Sequence, residues 1–315
     1  MAVIGAGIAG ATAARTLMSA GHDVVVIDKS RGPGGRMATR RVTTPTHTIT
    51  FDHGAPFTTA ARAPFAAFLK AAMDDEQASH WAGAPTPDGV VGVPGMSALV
   101  RHQLDGIETA YGARVTALSR GPNGWSLSGE DAAIAGTFDA LVLAIPSPQL
   151  VPLLAPVLPE AAHQIAAARY HPCWAVLMEF EAAAHDALAA LRHDELEAMG
   201  IALIAYNGGK PQRHGATLVM HADPQWSQDN LEQDAPDIAA DITSRAVPAL
   251  HLPEPISAKA HRWRFSRVAH AVSLPRWFDE ASMIGFAGDW SSGDTIEAAY
   301  ESGLRVGEAV VEAGR

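Results

Sequence analysis

Glycines at positions 5, 7 and 10 directly follow three apolar residues, Ala2-Val3-Ile4, and directly precede a run of small residues from Ala11 to Ala20 that closes at Gly21. No other feature constrains the fold as strongly. The apolar triplet reads as a short buried strand, the small-residue run as a helix, and Asp23–Ile27 (DVVVI) as a second strand ending at Asp28. In this context each glycine has a task. Gly5 makes a tight turn, Gly7 lets backbone approach a pyrophosphate, and Gly10 lets the helix pack closely on the strand. The exposed N–H groups of the helix N-terminus then face the phosphates. Asp28 stands 18 residues after Gly10, near the roughly 20 expected for a ribose-binding carboxylate. The expected fold class is α/β, with a Rossmann-like dinucleotide-binding domain.

A chain of 315 residues has room for about two domains. Its 48% hydrophobic and 18% charged residues provide for a sizeable core and argue against disorder. The net charge of −11 has the wrong sign for a general nucleic-acid or anionic-membrane binder. A single cysteine, Cys173, rules out an intrachain disulfide and a cysteine-clustered metal site. A reducing cytoplasm is the expected location. The most apolar stretch, Ala140–Pro159, contains five prolines and cannot be one continuous membrane helix. The N-terminus lacks the basic leading region of a signal peptide.

Immediately after Asp28 comes KSRGPGGRMATRR, in which Lys29, Arg31, Arg36, Arg40 and Arg41 face no acid. Gly34-Gly35-Arg36 offers backbone N–H groups and a guanidinium that suits phosphate, and Lys29 is read with it as a cofactor contact. The nucleotide domain is expected to comprise 1–60, 92–147 and 276–315. It would include the VGVPGM turn with the helix after it, Val115 in a strand, and the buried strand FDALVLAI. Residues 61–91 and 148–275 are expected to form a substrate domain of antiparallel sheet plus helices, with strands at Trp174–Phe180, Ala202–Tyr206 and Thr217–His221.

At the C-terminus a strand (SMIGFA), Gly288-Asp289, a loop and an amphipathic helix from about Ile296 form a second nucleotide-binding unit. Asp289 can accept from a ribityl or phosphate-linked hydroxyl. The helix start around Thr295, Ile296 and Glu297 can point its partial positive charge at a flavin pyrimidine. Paired with the first glycine turn, this unit points to FAD rather than NAD as resident cofactor. Two further segments, PISAKAHRWRFSRVAH (255–270) and YNGGKPQRH (206–214), carry cations and no acid. Such islands in an acidic chain suit an anionic dinucleotide substrate. In a strand His261, Trp263 and Phe265 share one face, and Arg262 and Arg264 the other. Alternation does not say which face meets the flavin. His261, Arg262, Trp263 and Tyr300 are the candidate catalytic residues, and Asn207, Lys210 and Arg264 the candidate substrate contacts. His221 and Trp226 read as packed residues.

Taken together, GGRMATRR, FDHGAPFTTA, VGVPGM, AIPSPQ, KPQR, HADPQWS, HRWRFS and GFAGDWSSGDTIEAAYESG resemble the bacterial renalase-like flavoproteins of the flavin amine oxidase group, over nearly the whole chain. The resemblance implies non-covalent FAD. It also implies oxidation of 2- or 6-dihydro-NAD(P) to NAD(P)+ by hydride transfer to flavin N5, with oxygen or another acceptor taking the electrons. It carries over Gly5, Gly7, Gly10, Asp28, Gly35, Arg36, Val115, Asp289 and Glu297 as FAD contacts. The chain departs from the family at Pro56 and Phe57, where glutamine and tyrosine are usual, at Phe265 (often tyrosine) and at Tyr300 (often tryptophan). An amine oxidase or desaturase, and a flavin-binding protein without turnover, are the alternative readings. The fourteen histidines show no metal-ligand spacing, so no metal is expected. Gly-x-Ser-x-Gly is absent.

Overall fold

The structure is a computed structural model that describes residues 1–43, 48–130, 133–191, 196, 199–274 and 276–314. The expected domain boundary at Pro275 lies outside them. A six-stranded sheet in the order β16-β17-β11-β1-β2-β7 forms its nucleotide-binding half. Its strands are β1 (Ala2–Ile4), β2 (Val25–Asp28), β7 (Glu108–Tyr111), β11 (Leu141–Leu143), β16 (Phe278–Asp279) and β17 (Ile284–Phe286). All pairs are parallel except β16 with β17. Central parallel strands are covered on both faces and so read as unbroken apolar runs, as AVI and LVL do here. Val3 points into one core with Leu17 and Val306, while Ala2 and Ile4 point into another with Leu127 and Leu150.

Helix α1 (Ile8–Ser19) packs on the sheet and against α9 (Ile296–Ala313). Small residues set this contact. A Cβ at Gly303 would collide with the Ala9 carbonyl, and one at Gly307 would come within 2.7 Å of Thr16. Helices α2 (Ala63–Asp74) and α3 (Ser97–Gln103) place Phe65, Phe68 and Leu99 in the same core. The opposite face carries a meander of β8 (Val115–Gly121), β9 (Gly124–Gly129) and β10 (Ala133–Phe138), and helices α4 (Ser147–Leu154) and α5 (Pro159–Ile165).

The other half is an antiparallel sheet in the order β13-β14-β12-β15: β12 (Arg169–Phe180), β13 (Ile201–Tyr206), β14 (Ala216–Ala222) and β15 (Ser257–His270). Helices α6 (His185–Ala189), α7 (Pro224–Asp229) and α8 (Ala235–Ala249) accompany it. Side chains alternate across a sheet. Accordingly Trp174, Val176 and Met178 of β12 pack with Ile238 and Ile242 of α8, whereas Ala175 and Leu177 face the core that contains Val3 and Ile49. Two hairpins, β3 (Thr39–Thr43) with β4 (Thr48–Asp52) and β5 (Ala78–His80) with β6 (Val90–Gly92), lie between β2 and β7 in sequence. Among the described residues, no helix is long and apolar enough to cross a membrane.

Candidate functional site

The first glycine turn has two sides. On its inner side there is no room: a Cβ at Gly10 would overlap the Gly5 carbonyl, and one at Gly5 would lie 2.5 Å from the Ala144 carbonyl. On its outer side, a Cβ at Gly7 would meet no atom within 4 Å. Gly7 is also the N-cap of α1, so no side chain caps that helix and its first N–H groups lack protein partners of the capping kind. The open side is therefore bordered by donors. Asp28 stabilises the turn, its two oxygens accepting from the backbone N–H of Ala6 and of Ser30, both at 2.7 Å. Each oxygen retains a second lone pair for a hydroxyl.

The second glycine turn sits on the first. The Gly34 N–H donates to the Ala6 carbonyl at 2.9 Å, and Gly35, at φ 53°, is so close to Gly7 that a Cβ would lie 3.3 Å from its Cα. From this turn Arg36 reaches across 253 positions of sequence to Asp289, making a two-pronged ion pair at 2.5 and 2.7 Å, and also donates to the Ser266 carbonyl at 3.0 Å. Burial disfavours the charged guanidinium, but Asp289 outweighs it and holds Arg36 above its usual range. Gly288 has φ 149°, a conformation few side chains tolerate. Beyond it Thr295 caps α9 by accepting from the Ala298 N–H. The Glu297 carboxylate turns away and accepts from the N–H groups of Ala61 and Arg62. The backbone N–H groups of Ile296 and Glu297, in the first turn of α9, have no intrahelical carbonyl. Gly5, Gly7, Gly35, Arg36, Gly288 and Asp289 thus converge. Lys29, exposed beside Asp28, donates to Gln149 at 2.8 Å, and Val115 is buried at the start of β8.

A wall of three rings adjoins this centre. His53 lies 4.7 Å from His261 and 5.0 Å from Trp263, centroid to centroid, and His261 lies 4.6 Å from Trp263. The His53 carbonyl accepts from the Trp263 indole at 3.0 Å, with His221 Nε2 at 3.2 Å. Gly54 packs between Trp263 and the backbone of Arg36, where a Cβ would collide with the Arg36 carbonyl. Burial pushes His53 down to about 3, helped by His261, Arg40 and His221 and opposed by the Phe51 carbonyl. Burial likewise takes His221 down to about 4 and lowers His261, the latter with help from Arg40. All three imidazoles are neutral at pH 7.

A family model described as flavin-containing amine oxidoreductase matches residues 59–311, and a second, the NAD(P)-binding Rossmann-like domain, matches residues 3–71. The chain belongs to the flavin-containing amine oxidoreductases. Solved structures share the fold. A candidate protoporphyrinogen oxidase from Exiguobacterium sp. 255-15 aligns with TM-score 0.69 at 14% identity, over 99% of this chain and 98% of that one. Cyclohexylamine oxidase from Brevibacterium oxydans IH-35A gives the same four values, and a redesigned putrescine oxidase gives 0.65 at 14% over 99% and 98%. This flavin oxidoreductase is an FAD enzyme, and its residues fit the cofactor: an open Gly7 face edged by helix N–H groups, with Arg36 and Asp289 beside it.

Several residues of the oxidoreductase lie elsewhere than its sequence implies. Arg262 and Arg264 point to the α8 side of β15, the side of Ala258 and Ala260. Both contact Glu232: Arg264 pairs with it at 2.6 and 2.7 Å, and Arg262 lies 3.3 Å from it and over the Trp174 ring. The assignments of Arg262 to catalysis and Arg264 to substrate are corrected accordingly. The acid sits 30 positions upstream of the arginines, which a local charge count misses. Lys210 is a second correction, for it is buried against Asp52 at 2.9 Å. So is Asn207, whose side chain accepts from the Asp52 N–H and donates to the Thr50 carbonyl. Tyr300 is a third. Its ring lies 5.2 Å from Phe65 and 5.0 Å from Phe68 in the core, on the α2 side of α9. The central ring of the wall, His53, carries no sequence signal of its own because it stands alone in FDHGAPF; its position after a buried strand is the only mark. Cys173 is buried and its thiol pushed up to about 12 by burial.

Proposed function

We propose that this flavin oxidoreductase oxidises reduced nicotinamide dinucleotide isomers carrying the extra hydride at ring position 2 or 6, releasing NAD(P)+. The observation that carries this reading is the charge beside the ring wall. Arg40, on β3, is the register partner of Phe51, two positions before His53; its charge adds to burial in lowering both His53 and His261, and among the described residues no carboxylate pairs with it. Of the two acids nearest in sequence, Asp28 accepts from the Ala6 and Ser30 N–H groups and Asp52 is held by Lys210 and Arg213. A cation beside neutral imidazoles repels an alkylammonium and attracts a phosphate. The wall suits the other end of the molecule: a dihydropyridine ring is planar and uncharged, and it becomes a cation on oxidation, which the face of Trp263 stabilises.

Bound FAD supplies the two-electron sink for the departing hydride and passes the electrons to oxygen or another acceptor. The protein's part is to hold and orient. Gly7, Gly35 and the starts of α1 and α9 would hold the cofactor, and Asp28 and Val115 its adenosine end. His53, His261 and Trp263 would place the substrate ring and exclude water. No acid or base is required, because a dihydropyridine loses hydride without losing a proton.

The family description and the similarity to amine oxidases favour a second reading, an amine substrate, for which a neutral imidazole could accept the proton of an ammonium. Anaerobic mixing of the yellow protein with 2- and 6-dihydro-NAD, 4-dihydro-NADH, cyclohexylamine and putrescine separates the two. Flavin bleaching by the 2- or 6-isomer alone supports the proposal. Bleaching by the amines and not by the isomers overturns it.

A further inference from the structure

One buried charge cluster remains outside the site so far described. Asp52 is wholly buried, and two cations close on it: Lys210 Nζ at 2.9 Å from Oδ2 and Arg213 Nη2 at 2.7 Å from Oδ1. Oδ1 also accepts from the Thr39 hydroxyl and the Met96 N–H. Arg213 further donates to the Thr50 hydroxyl. Lys210 also reaches the backbone after His53: Nζ donates to the Pro56 carbonyl at 2.6 Å, and it stands 5.1 Å from the Trp81 ring centre. A single ammonium therefore grips residue 52 and residue 56. Between those two anchors lie His53, whose ring and carbonyl meet Trp263 and His221, and Gly54-Ala55, where the Ala55 N–H donates to the Arg36 carbonyl at 2.8 Å.

We propose that Lys210 is a positioning residue for the reaction: by joining the Asp52 carboxylate to the Pro56 carbonyl it staples the 52–56 segment and so fixes where His53 meets Trp263 and the Arg36 turn. The inference rests on the reading that this wall meets substrate. A pure stability role accounts for the cluster less well, because buried ion pairs add little stability over apolar packing. A carbonyl held from a distant hairpin is instead what a segment needs when its backbone must not shift. A displacement of about 1 Å at a reacting centre costs about a hundredfold in rate.

The staple can be removed without orphaning a charge. In Lys210→Met, Asp52 keeps Arg213, Thr39 and the Met96 N–H, so the holoprotein is expected to fold and retain FAD. Two readouts follow, on full-length holoprotein. The first is the histidine ring NMR signals across pH, assigned with His53→Gln and His221→Gln. His221 faces the His53 carbonyl, Arg267 and Lys210; His53 faces His261, Arg40, His221 and the Phe51 carbonyl. In Lys210→Met the His53 signals move, and His221 protonates at higher pH than in the parent. The second is anaerobic flavin reduction by 6-dihydro-NAD, where the limiting rate is expected to fall roughly ten- to a hundredfold while the half-saturating concentration changes by less than about threefold. Lys210→Arg, able to bridge both acceptors, should restore most of the rate. If Lys210→Met does not fold, Lys210→Gln, shorter and uncharged, should show the same changes in smaller measure. Unchanged His53 signals and an unchanged limiting rate in the folded variant would overturn the proposal. If 6-dihydro-NAD does not reduce the parent either, the substrate reading has failed, and the histidine signals alone still decide the role of Lys210.

Discussion

The two ends of the candidate site are built on different plans. At the cofactor end, apart from the Arg36–Asp289 pair, contacts come from backbone and glycine within short turns. Gly5, Gly7 and Gly10 lie within six residues, and Gly34–Arg36 packs directly on them. At the substrate end, contacts depend on partners far along the chain: the His53 carbonyl with the Trp263 indole and with His221, and the His53 ring with His261. Backbone-built sites are specified by local sequence. Side-chain-built sites are specified by the register of a sheet, in which the faces of β15 differ by one residue position.

The sharpest way to break this contrast is at the glycines. Gly7 has extended backbone and open space where a Cβ would be. Gly7→Val is therefore expected to fold normally and to lose essentially all FAD, because only the pyrophosphate needs the space. Gly10→Val should not fold, since its side chain would collide with the Gly5 carbonyl. Flavin absorbance and circular dichroism of the two variants check this. Normal FAD content in Gly7→Val would refute the open-turn geometry.

What could be read from the sequence follows the same division. The strand, glycine turn, helix and acid at the start, and the Gly288-Asp289 unit at the end, were legible because each is one contiguous motif with a single workable geometry. That Arg36 would bond Asp289 was not, although both were singled out, because no local signal joins positions 253 apart. The substrate-side charges misled for a physical reason. A cation count along YNGGKPQRH or AHRWRFS sees no acid, yet the sheet brings Asp52 and Glu232 to them from other segments. Alternation along β15 was legible; which face looks inward was settled only by its pairing with β12, where Trp174 and Arg262 are register partners on the α8 side.

The two faces of β15 give the next contrast. Trp263→Ala removes an indole that packs on His53 and His261, and should slow anaerobic flavin reduction roughly ten- to a hundredfold with FAD content unchanged. A wild-type rate would remove this ring from the site.

Acid tests the neutral histidines. Burial depresses the folded pKa of His53 to about 3, against an ordinary imidazole value of about 6.5. The unfolded chain therefore binds more protons between these values, and stability falls as pH drops from about 6.5 toward 3. One such group contributes a slope of up to about 1.4 kcal/mol per pH unit. His53→Gln should flatten the acid limb of a denaturation series. An equally steep limb in the variant would mean that His53 is not held neutral.

The smallest effect is expected on the outer face. Arg262→Gln, with its charge half-shared with exposed Glu232, should leave flavin reduction within about twofold of the parent, because surface ion pairs contribute little. A large loss of rate would place that face in the site.

The most direct test is the affinity of 2- and 6-dihydro-NAD for Arg40→Gln and Arg264→Gln, read from the concentration dependence of anaerobic flavin reduction. Losing one charge-assisted phosphate contact costs about 1.5–3 kcal/mol, so Arg40→Gln should bind about 10- to 150-fold more weakly, by a margin that shrinks with added salt, while Arg264→Gln binds as the parent does. Weakened binding in Arg264→Gln with none in Arg40→Gln would contradict the account.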